Sequence, residues 1–469
     1  MKKIAMFCIP AHGHTNPMLP VAAELVKRGD AVRFYSFNEF EAKIKATGAE
    51  FISCEPYLPE LTEREEAGLK NVSTTEMTIQ DIRITLSMNE FLDGEFKTFC
   101  PDVVYTDSVC FWGKLNAWKY DVPMVVSTST FAFNQMSSQY MKNSPREIAG
   151  LIFGLPRVSR ELNKLKAYGY KFKGLFSLIQ SDNDTDSVVY TSERFQPYSE
   201  SFSSHYLFAG PSVFSEQKPR KSRERPLVYV SMGTVINDRP DFYSKCIDAM
   251  RGEDVDLVIS CGNAVDAASL GELPENVKVF PYVDQLEILS EASVFITHCG
   301  MNSVSESLYM ETPMALYPQT NEQAAVARRV TEIGAGLMLK DDSADGIREA
   351  VHTLLHTESY AKAARECAED FRSCPGTAGA ADFVENAPHE SSGIDVIKKL
   401  NKANVLGQVV YNIISILSAI LIFHFVSPKF IWIYVVLAVV LSSPYKKLIQ
   451  NQYYKRLIKK EFDRKGLKP

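Results

Sequence analysis

Short-spaced cysteine pairs are missing from this sequence: its nine cysteines stand at 8, 54, 100, 110, 246, 261, 299, 367 and 374, with no CxxC among them. That scatter and the odd number favour reduced thiols in a cytoplasmic protein over a disulfide framework or a zinc site. No GxGxxG follows any strand-like run, which weakens a dinucleotide-binding oxidoreductase as a reading. An excess of positive charge is lacking as well, and the net charge of −6 speaks against nucleic acid as a partner. The N-terminus lacks a proper export signal. Its apolar run Ile4–Ala11 is short, is cut by Pro10 and gives way at once to polar residues, so it is read as a first strand.

What is present is ordinary globular material, unevenly charged. Apolar residues make up 45% and charged residues 23% of the 469, enough for two or three cored domains. From Asp395 to Pro469 there are 13 Lys/Arg against 3 Asp/Glu, which leaves 38 against 54 in the residues before. An acidic body is joined to a basic tail. Within the tail, the 26 residues between Lys402 and Lys429 carry no formal charge. The apolar runs 406–426 and 430–443, with lysines on both flanks, are read as a membrane hairpin whose two ends are cytoplasmic. The alternative is one span followed by an interfacial segment.

The body alternates strand and helix. Residues 3–9, Ala31–Ser36, Val103–Tyr105 and Pro123–Ser127 are strand-like, and so are Leu227–Ser231, Leu257–Ser260, Val277–Phe280, Val294–Thr297 and Met314–Tyr317. Asn16-Pro17 reads as a helix cap before Met18–Lys27. The pattern predicts two α/β halves with parallel sheets. Their bounds are 1–215 and 227–375, with a polar basic linker at 216–226, a closing helix and linker at 376–394 and the tail at 395–469. Ligands of such sheets bind beyond the carboxyl ends of the strands.

At one such end stands THCGMNSVSE, residues 297–306. A strand, a glycine turn and a helix N-terminus make an anion site, because unpaired N–H groups and the positive end of the helix dipole face the turn. His298, Asn302 and Ser303 add side-chain donors, Gly300 admits a close approach, and Glu306 reaches toward ribose hydroxyls. In the first half, His14 and Asp107 follow two strands at one sheet edge. An imidazole there is a suitable base near neutral pH, with the carboxylate to orient it.

HCGMNSVSE resembles the HCGxNSxxE signature of UDP-glycosyltransferases with two Rossmann-like domains (GT-B), and the likeness to the bacterial macrolide and flavonoid type covers residues 1–388. Within it, Ser231-Met-Gly-Thr234 resembles the turn that touches the β-phosphate, and the stretch from Tyr282 through Val283 and Gln285 to Leu289 resembles the uracil-facing segment. Glu322-Gln323 resembles the pair that binds sugar hydroxyls, with Met301 inside the diphosphate turn. GHTNP resembles the family's GHxNP, which places the base at His14 rather than His12 and Asp107 beside it. Many relatives carry Trp or Gln where Tyr282 stands and Pro where Asp284 stands. The resemblance implies an inverting, metal-free transferase with no cofactor, a UDP-sugar co-substrate with glucose first, and an apolar hydroxylated acceptor.

Other readings remain open at this point. Phe111, Trp112, Phe131, Phe133 and Tyr140 line an acceptor cleft or belong to the core. The HGH pair offers metal ligands, but no carboxylate or cysteine nearby completes a set. Asp182-Asn-Asp184-Thr-Asp186 approaches an EF-hand spacing with Glu193, yet Ser187 replaces the required glycine, so a solvated turn is expected. The tail adds a lipid or other membrane-dissolved acceptor, and hence a glycolipid-synthesising transferase. A membrane-tethered protein that binds nucleotide sugar without turnover is the reading from another class.

Overall fold

The computed structural model describes residues 1–60, 74–141, 145–179, 184–213, 221, 223–234 and 236–390, with isolated positions between 399 and 456. Apart from those positions, the apolar runs 406–426 and 430–443, and with them the membrane hairpin, lie outside the described residues. Among the described residues no helix is long and apolar enough to cross a membrane.

Seven strands form the first sheet: β1 (Lys3–Phe7), β2 (Ala31–Ser36), β3 (Glu50–Ser53), β4 (Val103–Asp107), β5 (Met124–Thr128), β6 (Asp186–Val189) and β7 (Tyr206–Phe208). Six form the second: β8 (Leu227–Ser231), β9 (Asp256–Ser260), β10 (Val277–Phe280), β11 (Val294–Thr297), β12 (Met314–Leu316) and β13 (Gly336–Met338). Their orders are β3-β2-β1-β4-β5-β6-β7 and β10-β9-β8-β11-β12-β13. Every pairing is parallel. Central strands covered on both faces must be apolar throughout. Ile4, Ala5, Met6 and Phe7 of β1 and Val294, Phe295 and Ile296 of β11 are accordingly buried, each large side chain contributing roughly 1.5–3 kcal/mol. Both sheets are doubly wound in the Rossmann manner. Strand order reverses between β1 and β4 in one and between β8 and β11 in the other, and crevices open at such points.

Among the described residues the halves are tied together at several places. The helix Gly376–Glu385 crosses back onto the helix His12–Lys27, where the Arg28 guanidinium bonds Asp382, Glu385 and the Ala378 carbonyl. Ala380, Ala381 and Val384 thereby complete the core of the first half. The Arg329 guanidinium donates to the Phe195 carbonyl at 3.0 Å, and Ser192 hydrogen-bonds Asp370. Phe131 and Phe195, from the first half, pack in a core cluster with Phe371, Leu308 and Val304 of the second.

The structure bears on four points of the sequence reading. The first helix starts at His12, capped by Ala11, and encloses Pro17 and Pro20. Asn16-Pro17 is therefore not its start. Of the basic stretch, the described residues Lys221 and Arg223 pair with Glu291, and Arg225 with Asp254, on the second half. Asp186 is no solvated turn residue. It lies buried in β6, accepting from the His205 ring and, at 2.8 Å, from the His389 backbone N–H; Asp182 lies outside the described residues. Phe111, Trp112 and Phe131 are fully buried, with Trp112 edge-on to Phe37 at 6.3 Å between ring centroids. They are core, whereas Phe133 and Tyr140 are partly buried at the junction of the halves. All nine cysteines are free.

Candidate active site

β1 and β4 deliver the first pair of groups. His14 sits in the first turn of the helix that follows β1, and Asp107 is the last residue of β4. His14 Nδ1 and Asp107 Oδ2 are 2.8 Å apart, with the carboxylate wholly buried and the imidazole 28% exposed. Asp107 Oδ1 accepts from the Val109 N–H at 3.0 Å, which fixes the carboxylate. With Nδ1 so engaged, Nε2 is the ring nitrogen available to take a proton. Burial disfavours the imidazolium. The charge and hydrogen bond of Asp107 outweigh it and raise the pKa above 6.5, with further pulls from Glu322 and Asp81. His12, two residues earlier, turns away and pairs with Glu39 at 2.8 Å.

Three neighbours of this pair carried no sequence signal. Ser129 Oγ lies 3.2 Å from His14 Nδ1. Lys114 is buried, donating to the carbonyls of Ser108 and, at 2.8 Å, Leu178. Burial lowers its pKa to about 8 against the pull of Asp107. The Asp81 carboxyl is held well above the usual range by burial and by the Asp107 charge. Lys114 and Asp81 sit on the helices Phe111–Lys119 and Thr74–Ser87, and Ser129 follows directly on β5.

The second sheet presents the anion site. Between β11 and the helix Met301–Tyr309, Cys299 takes a left-handed φ of 68°, a conformation that costs a non-glycine residue roughly 1–2 kcal/mol. The helix is capped by Gly300 with no side-chain hydrogen bond, so its first N–H groups face the cleft without an internal acceptor. The His298 ring is wedged between two glycines. A Cβ on Gly233 or Gly300 would come within 2.5 or 2.6 Å of His298 Nε2. Burial depresses this imidazole to about 4, making it a neutral donor at pH 7. Thr234 is exposed at the end of the turn after β8. The Met301 side chain is core, so only its backbone can meet a ligand.

Gln285 organises the far end. Its Nε2 donates to Glu306 Oε2 at 2.6 Å and to Ser303 Oγ at 3.2 Å, while Tyr229 OH donates to Gln285 Oε1 at 3.2 Å. Burial lifts Glu306 to about 7, with the Gln285 bond pulling it back. Tyr282 is 83% exposed, leaving a ring face open for a base, whereas Val283 packs on the core. Gln323 is occupied locally, since its Oε1 caps the helix Asn321–Glu332 by accepting from the Gln319 and Thr320 N–H groups at 2.7 and 3.1 Å. Only its Nε2 remains for a ligand. Glu322 is exposed on the same first turn, close enough to affect His14.

The two walls meet where Asn302 Nδ2 donates to the Gly13 carbonyl at 3.0 Å. An imidazole paired with a carboxylate thus faces an open helix N-terminus across the cleft. That arrangement suits transfer from an anionic leaving group to a hydroxyl.

Comparison with known proteins agrees. Residues 244–386 match the family model described as erythromycin biosynthesis protein CIII-like, C-terminal domain. The chain is 31% identical over 399 residues to the uncharacterized UDP-glucosyltransferase YojK of Bacillus subtilis, covering 82% of this chain and 98% of the relative. It is 32% identical over 395 residues to the NDP-glycosyltransferase YjiC of Bacillus licheniformis, covering 82% and 97%. Among solved structures, the glycotransferase of kitacinnamycin superposes with a TM-score of 0.68 at 26% identity, covering 82% of this chain and 98% of that one.

Proposed function

The chain belongs to the UDP-glycosyltransferase family and is a glycosyltransferase, and from that premise we propose that it moves a hexose, glucose first, from a UDP-sugar to a hydroxyl of an apolar acceptor with inversion. The observation that carries the mechanism is the 2.8 Å His14–Asp107 pair on the wall opposite the open N-terminus of Met301–Tyr309. His14 Nε2 takes the proton of the acceptor hydroxyl as its oxygen attacks the anomeric carbon. The bond from that carbon to the β-phosphate oxygen breaks on the other face, and UDP leaves with the electron pair. Asp107 stabilises the imidazolium, and the proton passes to solvent. The helix end, His298 and Ser303 hold the diphosphate without a metal. Glu306 and Gln285 take the ribose and base edge, with Tyr282 stacked on the base, and Glu322 with Gln323 Nε2 takes the sugar hydroxyls.

The test is UDP release from UDP-glucose with a phenolic acceptor. His14→Ala should lose about 10²–10⁴ in rate; no turnover by the parent chain with any hydroxylated acceptor would leave only a nucleotide-sugar-binding protein. The intact dyad speaks for turnover.

The tail supports a second element of the proposal: attachment to the cytoplasmic face of the membrane and a lipid-like acceptor. Its 26 uncharged residues between Lys402 and Lys429 are long enough to span. Deletion of residues 395–469 should release the protein from the membrane fraction, and retention after deletion would overturn this part.

A further inference from the structure

Among the described residues the helix Pro145–Ala167 carries three large apolar side chains that are exposed. Ile152 is 59%, Phe153 81% and Leu155 49% exposed; Ile152 and Leu155, three apart, share a face, and Phe153 stands about 100° round from Ile152 on the same outward half. Gly154 and Val158, on the other face, are buried, and a Cβ on Gly154 would come within 2.3 Å of Thr75. The helix is therefore seated, and its apolar face points outward because packing requires the opposite face inward. Further along the same outward side and into the segment after it stand the exposed cations Arg160, Lys166 and Lys171. Residues 145–173 hold seven Lys/Arg against two Glu, in a body where Asp and Glu outnumber Lys and Arg.

Scattered apolar side chains on a surface need no explanation, but a cluster rimmed by one sign of charge does. An amphipathic helix with bulky apolar groups and a basic rim lies in the plane of an anionic bilayer interface. We infer that the outward face of Pro145–Ala167 docks on an anionic lipid surface, with Ile152, Phe153 and Leu155 among the acyl chains and the cations at the headgroups. The acidic remainder of the body is repelled from such a surface, so this patch selects the orientation. The helix packs along Thr74–Ser87, which carries Asp81, a group close enough to His14 to shift it. Docking here brings the acceptor side of the cleft to the bilayer. The inference rests on the reading of the chain as a membrane-attached transferase.

The test uses the full chain and its Phe153→Trp variant on vesicles of phosphatidylcholine mixed with phosphatidylglycerol, with ordinary or bromine-substituted acyl chains. In the variant, the emission added over the parent should shift to the blue on vesicles and be quenched by the brominated chains. The effect should weaken in high salt and on phosphatidylcholine alone. Sedimentation with vesicles but no added quenching overturns docking and leaves the tail reading standing. No sedimentation at all overturns both. Sedimentation abolished by Ile152→Glu with Phe153→Glu, in a chain that still folds by circular dichroism, supports docking and overturns the tail as the anchor. Added emission that is blue-shifted and shielded from aqueous quencher before vesicles are present means another part of the chain covers the face, which also overturns the inference.

Discussion

Asn302 donates a side-chain N–H to the backbone carbonyl of Gly13 at 3.0 Å, across the cleft and between residues 289 apart in sequence. The acceptor is available because of Pro17. An α-helix pairs each N–H with the carbonyl four residues earlier, and Pro17 has no N–H to offer Gly13. A proline that ordinarily weakens a helix here leaves a carbonyl for the other half of the molecule.

Asn302→Ala should loosen that link. A hydrogen bond of this kind is worth about 0.5–1.5 kcal/mol net, so thermal stability should fall modestly. The donor KM should rise more than the acceptor KM, because the residue stands on the phosphate-facing turn. Steady-state kinetics with each substrate varied would show it, and equal changes in both constants would refute the assignment.

The dyad predicts a pH profile. A base works deprotonated, so kcat/KM should fall as pH drops through the His14 pKa, which lies above 6.5. Asp107→Asn removes the charge that raises it and leaves burial, which lowers it. The acidic limb should move to lower pH, while the maximal rate drops by about 10² or more because the imidazolium loses its counter-charge. A limb that does not move would place the titrating group elsewhere.

Glu306 links stability to pH. Its folded pKa of about 7 lies above the unfolded carboxyl value near 4.3. The stability that its protonated form contributes is therefore full below about pH 4.3 and is lost as pH rises through about 7. Glu306→Gln does not titrate, so its melting temperature should gain on that of the parent between pH 5 and pH 8. The difference should be on the order of 1–3 kcal/mol, measured by calorimetry without ligand.

Gly233→Ala should disable the donor side while sparing the fold. Gly233 has φ 79°, and its Cβ would meet the His298 ring at 2.5 Å, so the ring must leave its slot. Strain of roughly 1–3 kcal/mol is expected, and UDP affinity by titration calorimetry should fall. Unchanged UDP binding would show that His298 does not serve the diphosphate.

What the sequence determined by itself was whatever depends on neighbours in the chain. The buried strands β1, β8 and β11 and the turn from His298 to Gly300 were legible because apolar runs, glycine and helix starts act over a few residues. The pairing of His14 with Asp107 was legible from their places after two neighbouring strands, and the motif chose His14 over His12. Tertiary structure decided the rest. It buried Asp186 under His205 and placed Ser129, Lys114 and Asp81 around the dyad. It also turned Phe111, Trp112 and Phe131 inward. The physical reason is common to all of these: burial, the pKa it shifts and the partner of a freed carbonyl are set by groups that only the packed sheets and helices bring together.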